Sequence, residues 1–159
     1  MIPNLFSKLD IPDKLPDKMQ VIVENLKKSK NKEDCLRQAY NILVKKYRGR
    51  RFLAFLNFPK LFDKELDRIW SQDGYIYCTT LNYLLHILLI KSGWFNEDDI
   101  KLKLTIFWYI SIHQYLEIRM REGKIINIDL WGKFYGIEFG DYTHGFHTKT
   151  HASNQRTNH

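Results

Sequence analysis

Apolar residues along this chain change their period about two-thirds of the way through. Up to Gly93 they recur every three or four positions, as on one face of a helix. Met19, Ile22, Val23 and Leu26 define a helix over about 17–28, and Cys35, Ala39, Ile42 and Leu43 one over about 32–48, with Gly49 just past its end. Leu61, Phe62, Leu66, Ile69 and Trp70 define a third over about 60–71. Leu81, Leu84, Leu85, Leu88 and Leu89 define a fourth from Cys78 to about Ser92, with Gly93 as its stop signal.

Beyond Gly93 the period falls to two. "KLKLTIFWYI" (101–110) alternates and then turns wholly apolar. "HQYLEIRM" (113–120) sets His113, Tyr115, Glu117 and Arg119 on one face and Gln114, Leu116, Ile118 and Met120 on the other. "REGK" (121–124) is a hairpin signal, after which "KIINIDLW" (124–131) returns. Helices followed by an antiparallel sheet predict an α+β domain, N-terminal helices packed on the sheet, over residues 1–146. Residues 1–16, with three prolines, read as an extended arm. The tail, residues 147–159, is polar and aperiodic and is predicted to be disordered.

Composition narrows the class. The chain has 159 residues, 44% of them hydrophobic, enough for one domain with a sizeable core. The longest apolar run, "YLLHILLI", is far too short for a membrane span. The start lacks the basic and apolar regions of a secretion signal, and two cysteines make no disulfide framework. The expectation is a cytoplasmic protein without a membrane partner. The net charge is +7, and the basic residues gather in "KKSKNK" (27–32) and "KKYRGRR" (45–51). Solvated helix ends account for these clusters, since cations suit helix C-termini. A nucleic-acid surface is the less favoured alternative, no reading motif being present.

The candidate chemistry begins with Cys78. A cysteine at a helix start lies where free N–H groups and the positive dipole end favour a thiolate. The competing reading is a buried core residue, since cysteine is among the most buried residue types. A nucleophile needs a base, and the base an orienting group. His86 lies eight residues along the helix, about 12 Å of rise, too far to serve Cys78. His144, His147, His151 and His159 fall in or near the tail, and their spacing without a carboxylate or cysteine partner predicts no metal site. His113 remains.

Hairpin geometry selects its partner. A two-residue turn at 122–123 would point Asp129 away from His113. A three-residue loop at 121–123 pairs 120 with 124 and sets 113 opposite 131. Asp129 then shares the face of His113 as a diagonal neighbour on the facing strand, roughly 7–8 Å away. Glu117 shares that face but lies about 13 Å along the strand.

"CTTLNYLLHILLIKSG", "HQYLEI" and "KIINIDLW" together resemble the transglutaminase-like superfamily of papain-like cysteine enzymes, over about residues 70–136. The resemblance implies Cys78 as nucleophile, His113 as base and Asp129 as orienting acid, without cofactor or metal. The glycine commonly found two residues before the cysteine is Ile76 here. Thr79 and Thr80 stand where small or acidic residues are usual, and Tyr115 replaces the usual Trp. The family holds its oxyanion with the cysteine's own N–H and a further donor, for which Trp70 and Tyr75 are the candidates. The implied activity is cysteine-dependent acyl transfer on a peptide or carboxamide: a protease or amidase, or a transglutaminase if an amine is the acceptor. The alternative is a non-catalytic binding module of the same fold that engages nucleic acid or an acidic protein through its basic clusters.

Overall fold

The computed structural model describes residues 11–48, 66–71, 74–107 and 111–145. Helix α1 (Asp17–Lys27) starts directly after Pro16, carries Asp17 in its first turn, and buries Met19, Val23 and Leu26. Helix α2 (Lys32–Lys46) is capped by Asn31, whose side chain accepts from the Asp34 N–H at 2.9 Å. It ends two residues before the sequence pattern suggests, because Tyr47 and Arg48 are extended and form β1. That strand pairs in parallel with β2 (Gly74–Tyr75). Of the third predicted helix, the described part is α3 (Leu66–Ser71), which buries Ile69 and Trp70. The rest of that helix, the first ten residues of the predicted arm and the tail lie outside the described residues.

Helix α4 (Cys78–Lys91) is the centre of the molecule. Its residues from Leu81 to Leu89 are buried except Tyr83, covering nearly the whole circumference. An apolar surface that wide needs partners on two sides. Helices α1 and α2 pack on one, and the sheet packs on the other. Each fully buried leucine stabilises the fold by roughly 1.5–3 kcal/mol. The helix stops at Ser92, and Gly93 follows with φ +76°, in the left-handed region open to glycine.

The sheet is antiparallel, in the order β3 (Ile100–Phe107), β4 (Ser111–Arg119), β5 (Ile125–Ile128). The fold class is therefore α+β, as the change of period predicts. In β4 and β5, Leu116, Ile118, Ile126 and Ile128 are buried as part of the core shared with the helices. The pairing Leu116↔Ile128, Ile118↔Ile126 and Arg119↔Ile125 is the register of a three-residue loop. The Met120 N–H closes it on the Lys124 carbonyl at 2.7 Å. Glu122 (φ +59°) and Gly123 (φ +76°) take up the left-handed backbone that such a loop demands.

Strand β5 is shorter than its sequence pattern: the chain turns out of the sheet at Asp129. The following segment returns across the sheet face that carries His113 and Tyr115. Gly140 bridges to Asn127 on β5, and the Gly145 N–H bonds the Ile106 carbonyl on β3 at 2.9 Å. Between them Tyr142 stacks on Tyr115, ring centroids 4.3 Å apart, and Thr143 is fully buried. Residues 140–145 thus form a strap over that face. Among the described residues, no helix is long and apolar enough to cross a membrane.

Candidate active site

Three elements meet where α4 begins. Cys78 is the first residue of the helix and is partly exposed, with Tyr77 before it in extended conformation and no side chain capping the end. His113 lies near the start of β4, opposite Thr105 of β3, and is only 4% exposed. Asp129 is the first residue past β5, its side chain fully buried. The His113 Nε2–H donates to Asp129 Oδ1 at 2.8 Å. The Cys78 thiol lies close enough to the imidazole to help raise its pKa. With Nε2 turned to the carboxylate, the nitrogen on the other side of the ring is Nδ1. The structure thus brings together all three residues that the sequence singles out.

The carboxylate is built in from several sides. Asp129 Oδ1 also accepts from the Gly132 N–H at 2.7 Å, and Oδ2 accepts from the Thr143 N–H at 3.0 Å. Burial alone would raise its pKa, but His113 and these two amides outweigh burial and hold it below the ordinary carboxylate value. Burial likewise opposes the charged form of His113. Asp129 and Cys78 together overcome it, lifting the imidazole from 6.5 to about 10. The Trp131 ring packs against the imidazole at 5.3 Å and is itself packed on Tyr135 at 4.6 Å, which restrains rotation of His113.

The other candidates fall elsewhere. His86 bonds Glu97 at 3.0 Å at the edge of the core. Burial lowers its pKa and outweighs the pull of Glu97, so at neutral pH this contact is a hydrogen bond of a neutral ring rather than an ion pair. His144 meets Thr105 at 3.3 Å in the strap. His147, His151 and His159 lie outside the described residues. Trp70 packs on Tyr47, centroids 6.4 Å apart, with the Lys46 ammonium 5.2 Å from its own ring. The side chain of Tyr75 lies outside the described set. Cys35 is buried, with its thiol toward Ser92 Oγ at 3.5 Å, and burial raises its pKa. Lys46 of the second basic cluster also lies 5.3 Å from the Tyr47 ring centroid, the packing of a helix end.

Three contributors escape a reading of the sequence alone. Gly132 leaves room for the carboxylate: a Cβ there would sit 2.5 Å from Asp129 Oδ2 and 2.7 Å from Thr143 Oγ1. Its position three residues after Asp129 is the available signal, since Asp side chains often bond nearby backbone amides. Thr143 reaches the site through the strap and carries no local signal. Asn82, four residues after Cys78, is 1% exposed, and its Nδ2–H donates to the Gln114 carbonyl at 3.0 Å. A lone amide on an otherwise leucine-rich helix is its signal.

No family model, curated protein or solved structure gives a significant match to this chain. The functional reading therefore rests on the geometry of the site.

Proposed function

We propose that the protein is a cysteine-dependent acyl-transfer enzyme with a core of the papain and transglutaminase type, acting on a peptide or carboxamide. A single observation carries this reading: a cysteine at a helix start contacts an imidazole whose far nitrogen is held by a buried carboxylate at 2.8 Å. An imidazole beside a thiol is the arrangement that takes the thiol proton as the sulfur attacks. The Cys78 sulfur attacks the acyl carbon, and the carbonyl oxygen gathers negative charge. The backbone N–H of Cys78, at the first helical position, is the oxyanion donor in this reading. His113 gives its proton to the departing amine as the C–N bond breaks, leaving a thioester. It then takes a proton from water, which attacks the thioester and releases the acid; an amine acceptor would give transamidation instead. Asp129 fixes the ring with Nδ1 toward sulfur and stabilises its charge.

The test is the rate of alkylation by iodoacetamide at pH 6, read by mass spectrometry at each cysteine of the folded chain. Cys78 is expected to react at least roughly tenfold faster than Cys35, and His113→Ala to remove most of that advantage. Equal, slow rates at both cysteines, indifferent to His113→Ala, would leave Cys78 as a packed thiol and end the enzyme reading.

A further inference from the structure

Just past the end of β5, a side chain of the nucleophile helix bonds a main-chain group of β4. In an antiparallel strand the N–H and C=O of one residue point to the same side, and the side alternates along the strand. The Met120 N–H bonds Lys124 on the β5 side, so Gln114, six residues earlier, also turns its carbonyl toward β5. The outer edge agrees, because the Ile106 carbonyl faces away from β4 to meet Gly145, which makes Ile106↔Ile112 and Leu104↔Gln114 pairs without mutual ladder bonds. The last β4–β5 pair is Leu116↔Ile128. Residue 130, which would continue the ladder opposite Gln114, has already left with the turn that sends Asp129 to His113. Beyond the end of the β4–β5 ladder, the Gln114 carbonyl accepts from the Asn82 Nδ2–H at 3.0 Å.

We infer that Asn82 is a positioning residue that sets the Cys78–His113 contact by fastening the first turns of α4 to the strand residue next to His113. Residues four apart lie on one helix face, so Asn82 lies beneath Cys78. The amide is buried and directional, unlike the leucine contacts further along α4, which permit sliding. It joins α4 directly to the backbone of β4 at the residue after His113. A shift of about 1 Å between a nucleophile and its base can cost on the order of a hundredfold in rate. The inference rests on the acyl-transfer reading, whose own test is the wild-type preference for Cys78 over Cys35.

The experiment compares wild type with Asn82→Leu, similar in shape but without a donor, by iodoacetamide labelling of the full chain. Burial of Cys35 serves as an internal gauge of the fold. The expected result is a Cys78 rate lowered by roughly tenfold to a hundredfold while Cys35 stays protected. A Cys78 rate within twofold of wild type, with wild type still selective, overturns the positioning role and leaves the acyl-transfer reading standing. A wild type without selectivity removes both. If Asn82→Leu unfolds, exposing Cys35, Asn82→Asp decides: its protonated acid can donate to the Gln114 carbonyl and its carboxylate cannot. Its Cys78 rate relative to wild type should then approach unity at pH 5 and fall about tenfold by pH 8, with Cys35 protected throughout. A flat ratio, or loss of Cys35 protection at both pH values, counts against the inference.

Discussion

Gly132→Ala is expected to cost about 3 kcal/mol or more of stability and to abolish any chemistry at Cys78. The added Cβ would lie 2.6 Å from Asp129 Cγ and 2.5 Å from its Oδ2, inside any tolerable contact. Neither neighbour is the free end of a long side chain. Asp129 is held by His113, Gly132 and Thr143, and Thr143 is fully buried in the strap. Making room for one methyl group therefore breaks a buried ion pair as well as overpacking the turn. Thermal unfolding should show a fall in Tm of about 6–12 °C for a chain of this size. A variant within about 2 °C of wild type would mean that the 129–132 turn opens freely. The carboxylate would then not be clamped as the distances indicate.

Asp129→Asn is the second large effect, and pH reveals its origin. The three groups that face the carboxylate all donate hydrogen, so an amide must turn its NH2 against at least one of them. A buried donor left unpaired costs about 1–3 kcal/mol, and loss of the charge beside His113 adds to that. The pKa of Asp129 is lowered in the fold, so its contribution is present above the ordinary carboxylate value and lost as pH falls through the folded value. That of His113 is raised, so its contribution is full below pH 6.5 and declines as pH rises toward about 10. The pair thus supports the fold best from about pH 4 to 6.5, with an acid limb from Asp129 and an alkaline limb from His113. Asp129→Asn should flatten both limbs in urea unfolding measured from pH 3 to 10. Parallel curves for wild type and variant would contradict the pairing.

Much of this site is legible in local pattern because two of its three members sit on one hairpin. The faces of β4 and β5 follow from strict alternation, and "REG" admits the three-residue loop that brings Asp129 to the side of His113. Cys78 stands out because the leucine period of α4 begins just after it. What the pattern misses has a common cause. Strand β5 ends early, and α2 gives way to β1 at Tyr47, because distant segments compete for the same backbone. The amide that clamps Asp129 Oδ2 comes from Thr143, fourteen residues on, through a strap with no period to announce it. The partner of the Asn82 amide is a carbonyl on β4, thirty-two residues away. Period reports which face a residue occupies, whereas hydrogen bonds across such separations depend on the finished packing.

The hairpin loop has a consequence in time as well as in space. Only sixteen residues separate His113 from Asp129, and the loop between them is short and preshaped by Glu122 and Gly123. Contacts of that kind form early, since little chain entropy is lost in closing them. Cys78 joins from a helix thirty-five residues before His113, and it does so only when α4 docks between the sheet and the first two helices. Substitutions at Ile118 and Ile126 should therefore slow folding, while those at Leu85 and Asn82 should mainly speed unfolding, as stopped-flow rates in denaturant would show. The reverse pattern would place helix docking first. In the expected order, a chain still on its way to the native state carries an assembled imidazole–carboxylate pair with no sulfur against it. The thiol then meets the imidazole only once the core has closed, so in an unfinished molecule the sulfur stands apart from the pair.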